Sequence, residues 1–297
     1  MKNLLLFSFL IISICAQAQI TNDPSFDSKV TAPAYKNNSG PKVLIEGGHH
    51  NVIVQWGLIK PLNDLIHADG YNPKIDSLPI TKKYLSDYKI VVMNPSLPFD
   101  FGTKKEVGNL VTFSKEEIEN IYNYVNNGGS LFVLIDCSPT DIAMSPLLNK
   151  FGIKTSFGTL EDSVHQDKEF GKVVVQYTKE NGLLKLNHPI LKGTNENEII
   201  KSLVLYTGSA IKSDQLTTIL PISNDAKINN NGVATSLEKG YAQGLAGKVG
   251  KGKIVVLSDS EAFVAMLFGK NKAKIGMQVK AYDNKQFALN ILHWLTK

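Results

Sequence analysis

The chain contains no arginine; all 32 of its basic side chains are lysine. Arginine's planar fork is the usual reader of phosphates and guanine edges, so its absence weighs against nucleic acid, and no nucleic-acid partner is expected. The lysines are scattered, as at Lys104, Lys105, Lys115, Lys150, Lys270, Lys272 and Lys274, and read as a solvated surface under a formal net charge of +5. Cysteine is scarce: Cys15 and Cys137 are the two in 297 residues. Several spacings are missing as well. Without HExxH, HxH or CxxC there is no metal-binding spacing, and without GxGxxG or a P-loop lysine there is no nucleotide signature, so neither a metal nor a cofactor is assigned. Long hydrophobic runs are also lacking. The apolar run from Leu4 to Cys15 falls short of the roughly 20 residues that cross a bilayer, no later stretch is long enough, and no transmembrane segment is expected.

That short run has another meaning. MKNLLLFSFLIISICAQAQ sets one lysine before an apolar core and closes on Ala16, Gln17 and Ala18, the small-x-small pattern that signal peptidase reads. Residues 1–18 are therefore expected to be a cleaved signal peptide, which places the mature protein in the periplasm or outside the cell. The alternative, Cys15 as a lipoprotein cysteine, meets a bulky Ile14 just before it. Once the signal is removed, Cys137 is a lone thiol without a disulfide partner, and packing alone must hold the core. Residues 19–40, polar and without period, read as an extended leader, and residues 41–297 as the folded α/β part.

Within that part, VLIE (Val43 to Glu46) is a short buried run stopped by Gly47 and Gly48. VIVQWGLIKPLNDLIHADG then carries helical spacing to Gly70, with Pro61 placed to kink or divide it. A second strand near YNPKID precedes IVVM (Ile90 to Met93), which ends at Asn94 and Pro95. SKEE from Ser114 is a capping box opening a helix with Ile118, Ile121, Tyr122 and Val125 on one face. SLFVLID (Ser130 to Asp136) is the next buried strand. From about 152 to 250, KVVVQY, SLVLYTGSAI and TTILPIS read as strands, with a turn at INNNG, and predict an antiparallel extension of the sheet. GKIVVLSDSEAF and the amphipathic NKQFALNILHWL restore the α/β pattern. Strands alternating with such helices predict a mostly parallel sheet with helices on both faces.

In an open parallel sheet, ligands collect where loops meet beyond the carboxyl ends of the strands. Four loops qualify: EGGHHN, NPSLPFDFG, DCSPTD and SDSEAF. From them come the candidate ligand-binding residues Glu46, Gly47, Gly48, His49, His50, Asn94, Asp136 and Asp259, and the candidate catalytic residues Cys137 and Glu261. The bland readings stand beside these. Glu46 and Asp136 are suited to holding loop amides, the glycine pair to turning the chain, and Cys137 to being a half-buried thiol. Trp56 offers a stacking face for a carbohydrate, although on a helix it is more often core. His188 in NHPI reads as a loop-fixing residue.

The GGSLFVLID strand after a long helix, the loop NHPILKG (Asn187 to Gly193) and the ending GKGKIVVLSDSEAF…NKQFALNILHWL resemble the class I glutamine amidotransferase-like superfamily. The likeness covers about residues 41–297 and points to its non-amidotransferase branch, the trehalose-utilisation-like proteins and the gliding-motility and intraflagellar-transport domains. It implies a flavodoxin-like arrangement. Catalytic members place a cysteine on a sharp turn after a central strand and a His-x-Glu pair near the C-terminus. Here Cys137 takes the first position without glycine flanks, while Asp259, Ser260 and Glu261 fill the second. A carboxylate raises a neighbouring thiol's pKa where imidazole would lower it, so glutaminase chemistry is not expected.

Three functions follow as expectations. The first is an exported binding or accessory protein for a small molecule or glycan. The second is a periplasmic hydrolase of a carbohydrate or ester, working through a metal or a carboxylate pair built from Glu46, Asp259 and Glu261 with a histidine. The third, an interaction module, would have the four loops packed shut or covered by the leader. Oligomeric state is left open.

Overall fold

The structure is a computed structural model and describes residues 20–100 and 110–297. The signal-peptide segment with Cys15, the end of NPSLPFDFG, and Lys104 and Lys105 lie outside the described residues.

The short apolar runs become strands of one nine-stranded sheet. In chain order they are β1 (Lys42–Glu46), β2 (Asn72–Asp76), β3 (Ile90–Met93), β4 (Ser130–Leu134), β5 (Lys154–Thr155), β6 (Ile211–Lys212), β7 (Thr217–Pro221), β8 (Ala242–Val249) and β9 (Gly252–Leu257). Across the sheet the order is β2-β1-β3-β4-β9-β8-β6-β5, with β7 also paired to β8. Pairing is parallel from β2 through β9 and antiparallel from β9 outward. The helices are α1 (Val52–Gln55), α2 (Lys60–Ala68), α3 (Lys82–Leu85), α4 (Lys115–Asn126), α5 (Thr140–Lys150), α6 (Pro189–Lys192) and α7 (Asn284–Thr296).

Alternation along the strands divides the core in two. Leu131 and Val133 of β4 pack with Ile121 and Val125 of α4 and Met144 and Leu147 of α5. Phe132 and Leu134 of the same strand pack with Leu62 and Leu65 of α2 and Phe287 and Ile291 of α7. Both faces of the central strands are therefore buried, which is why VLI of β1, IVVM of β3 and LFVL of β4 are continuous apolar runs and do not alternate.

Three expectations need correction. The sheet is mixed rather than mostly parallel: the five parallel strands from β2 to β9 continue antiparallel through β8, β6 and β5, with β7 also on β8, and β6 and β7 are the antiparallel extension expected from the end of SLVLYTGSAI and from TTILPIS. The strand that joins the halves, β8, was not legible: its Gly244 and Gly247 look like breakers, yet each glycine sits under a packed neighbour. A Cβ on Gly247 would meet Leu216 Cδ2 at 2.7 Å, and one on Gly244 would meet Leu257 Cδ2 at 3.0 Å. Second, KVVVQY does not extend the main sheet. Gly171–Thr178 pairs with Ser202–Leu205 in a small sheet of its own, and INNNG turns a hairpin in another. Third, the leader is part of the fold: Ile20–Asn22 pairs with Ala265–Phe268, and Phe26, Val30 and Tyr35 pack against the core.

Local signals held. The long helical pattern is divided into α1 and α2, with Gly57 at φ 71° between them and Pro61 in the first turn of α2. Ser114 Oγ accepts from Glu117 N at 3.2 Å, and Glu117 Oε2 accepts from Ser114 N at 2.9 Å, completing the capping box. Replacing Ser114 with Ala should cost about 1 kcal/mol and lower the melting temperature by roughly 2–4 °C; an unchanged calorimetric melt would mean that the box does not cap the helix.

Candidate functional site

The turn after β1 is held by its own polar groups. Glu46 Oε1 accepts from Gly48 N at 2.6 Å and lies 2.9 Å from His49 Nδ1. The Glu46 carbonyl accepts from Asn51 Nδ2 at 3.2 Å and Asn94 Nδ2 at 3.4 Å. Gly48 is confined, because a Cβ there would stand 3.1 Å from the Ser77 carbonyl oxygen. Asn51 caps α1 through Val54 N, and His50 takes a left-handed φ of 42°. His49 reaches on to α4, with Nε2 3.2 Å from Glu117 Oε1 and its ring 4.5 Å from Phe113. Burial opposes a charge on His49, but the hydrogen bond and charge of Glu46, with those of Glu117, outweigh it and raise the pKa. EGGHHN is thus a clip between β1 and the start of α4. Both ring nitrogens of His49 are engaged, which leaves none to serve as a base.

A cleft of about 220 Å³ opens beside this turn. Val52, Ile53, Trp56, Leu58 and Pro95 come from the segments after β1 and β3, Val264 and Met266 from the segment after β9, and Ile20 from the leader. Trp56 is 48% exposed and belongs to the cleft wall, not to the core. The polar floor is built by neighbouring strand ends. Because β4 and β9 run parallel with Leu134 opposite Leu257, the residues that follow, Asp136 to Thr140 on one side and Ser260 to Glu261 on the other, face one space.

Asp136 Oδ2 accepts from Ser260 Oγ at 2.6 Å, and Oδ1 accepts from Cys137 N at 2.8 Å. Thr207 Oγ1 donates to Glu261 Oε2 at 2.8 Å and lies 3.4 Å from Asp136 Oδ1. Asp259 sits beneath the floor, fully buried, and accepts from Tyr206 N at 2.6 Å and Glu261 N at 2.8 Å. Burial raises the pKa of all three carboxyls. The charge of Asp136 adds to the rise at Asp259 and Glu261, and Glu261 is pushed up to about 7. Burial, then the Asp136 charge, pushes the Cys137 thiol up to about 12.

Of the candidates read from the sequence, Asp136, Cys137 and Glu261 line the cleft, and Asp259 supports it. Glu46, Gly47, Gly48, His49, His50 and Asn94 do not line it; they build the adjoining turn, and the residues that follow them, Val52 and Pro95, reach the wall. Thr207, Ile20 and Met266 were missed, and Ser260 was noted only as the residue between Asp259 and Glu261. Thr207 had one legible signal, a hydroxyl just past the strand SLVL. Among the described residues a cleft is left between these loops, and the leader supplies one wall. Among the described residues, no group of three or more His, Cys, Asp or Glu is arranged to hold a metal ion, and no helix is long and apolar enough to cross a membrane. His188 is the loop-fixing residue expected, with Nδ1 accepting from Ile190 N at 3.2 Å.

Known structures share this fold. The mmIFT52 N-terminal domain superposes with a TM-score of 0.59 at 14% identity, over 86% of this chain and 97% of that one. Putative ThuA-like proteins from Bacteroides uniformis ATCC 8492 and Parabacteroides merdae ATCC 43184 are also similar, each with a TM-score of 0.47. Their identities are 12% and 13%, over 92% and 87% of this chain and 95% and 91% of theirs. At such identities the likeness is one of fold, and it agrees with the resemblance to intraflagellar-transport domains. No protein-family model and no curated protein sequence matches the chain.

With its pKa near 12, Cys137 is a thiolate in only about one molecule in a thousand at pH 9. Alkylation by iodoacetamide should therefore be slow at pH 8 and rise about tenfold per pH unit through pH 10, and Asp136→Asn should speed it; rapid modification at pH 7 would contradict this electrostatic picture.

Proposed function

We propose that the chain is a binding or accessory protein for a small molecule or glycan, on a flavodoxin-like, class I glutamine amidotransferase-like scaffold that lacks cysteine–histidine chemistry. The observation that carries this reading is the pairing of an open cleft with an unactivated thiol. Burial and the charges of Asp136, Asp141 and Glu261 keep the proton on Cys137, and a hydrogen bond with Thr159 only partly offsets them. The cleft itself has the character of a recognition site. Its volume of about 220 Å³ lies below the ~300 Å³ typical of pockets for drug-sized ligands, so a compact ligand fits. The floor offers carboxyl acceptors to hydroxyl groups, and the half-exposed Trp56 adds an aromatic side chain to the wall. Export to the periplasm or beyond belongs to the same proposal and rests on MKNLLLFSFLIISICAQAQ.

One observation favours hydrolysis as a second reading. Glu261, with a pKa near 7, is poised to give or take a proton at neutral pH, and Asp136 stands beside it in the same cleft. The two readings separate in one experiment: purified protein is titrated calorimetrically with a panel of monosaccharides and short glycosides, and the same mixtures are assayed for products, together with simple esters. Binding without turnover is expected, with Trp56→Ala weakening it by roughly tenfold and Cys137→Ala weakening it less. Product formation abolished by Glu261→Gln would transfer the assignment to hydrolase, and equal losses from the two alanine variants would contradict the part given to Trp56.

A further inference from the structure

One wall of the cleft comes from the leader, whose Ile20 lies more than two hundred residues in sequence from Val264 and Met266 on the same wall. Ile20, Thr21 and Asn22 form antiparallel rungs with Phe268, Leu267 and Met266. The pleat turns Ile20 and Asn22 toward the protein and leaves Thr21 exposed. Ile20 lines the cleft together with Met266, the rung partner of Asn22. Asn22 reaches past the strand, and its Nδ2 donates to Gly57 O at 2.8 Å, in the turn that carries Trp56. Asp23 completes the attachment. Its N donates to Ala265 O at 2.9 Å, and its carboxylate accepts from Ser25 N and Ser25 Oγ and pairs with Lys274 Nζ at 3.1 Å. The short segment is therefore pinned at once to the Met266 strand and to the Trp56 turn, and so fixes how far apart these parts of the cleft stand.

We propose that residues 20–23 form a specificity-determining strap: Asn22 and Asp23 hold the Met266 strand and the Trp56 turn in register, and Ile20 limits the apolar end of the ligand. This rests on the binding function proposed above and narrows the ligand class. The floor is polar at Asp136, Thr207 and Glu261, while the leader's side of the cleft presents Ile20, Met266 and Val264. A matching ligand is amphiphilic, with a hydroxyl-bearing head and a short alkyl or aryl group, as in a small glycoside with an apolar aglycone.

The test has two arms. In the first, a Trp294→Phe background leaves Trp56 as the remaining tryptophan of the two, and acrylamide is the quencher. Asn22→Ala with Asp23→Asn should at least double the quenching constant while the far-UV spectrum stays unchanged. In the second, n-butyl and n-hexyl β-D-glucosides are titrated. Ile20→Ala should shift preference toward the longer chain by about fourfold per methylene admitted, and Ile20→Val should restore most of the original preference, which a merely structural role for Ile20 would not predict. Unchanged quenching, or wild-type binding with a preference that Ile20→Ala leaves unaltered, overturns the strap while the binding function stands; failure of the wild-type protein to bind either glucoside overturns the specificity role and counts against the binding function with it.

Discussion

The cleft depends on the parallel pairing of β4 with β9. Their register, Leu134 opposite Leu257, brings together two chain segments that are distant in sequence, and each continues past the sheet into a carboxyl-bearing turn. Asp136 and Glu261 are then obliged to share one partly desolvated space, with the Thr207 hydroxyl between them. Among the described residues, no lysine or histidine forms an ion pair with Asp136, Asp259 or Glu261. Burial first, and then the charge of Asp136 at Asp259, Glu261 and Cys137, disfavours the ionised forms, so the carboxyl pKa values rise and the adjacent thiol stays protonated. The same arrangement that makes Cys137 a poor nucleophile makes Glu261 responsive at neutral pH.

The EGGHHN turn adjoins the cleft without lining it. Two histidines, a carboxylate and two glycines at a strand end look like a ligand cradle. In the fold, Oε1 of Glu46 holds Gly48 and His49, and His49 extends the link to Glu117. Glu117 also caps α4 through Ser114, so one carboxylate serves both the helix start and the turn. Its value to the cleft is indirect: it fixes the point from which Val52 and Trp56 project.

Local patterns in the sequence were readable wherever a short-range rule decides the outcome. IVVM, the capping box at Ser114, the division of the helix before Pro61 and the apolar face of α7 all depend on residues within a few positions of one another. What was not readable depends on distant neighbours. The glycines of β8 are explained by Leu216 and Leu257, the structured leader by pairing with Ala265–Phe268, and the separate sheet of KVVVQY by its partner Ser202–Leu205. The site divides in the same way. Asp136, Cys137 and Glu261 were found because strand ends in a parallel sheet converge, whereas Thr207 and Ile20 reach the cleft from elements whose pairing no local rule announces.

The most direct measurement of this account is the titration of Glu261 by carboxyl carbon NMR, in the wild-type protein and in Asp136→Asn. A midpoint near pH 7 that falls when Asp136 loses its charge is predicted, since burial and the Asp136 charge together hold it up. A midpoint in the usual glutamate range near 4.3, unmoved by Asp136→Asn, would mean that the two carboxyls do not share one desolvated floor and would contradict the account.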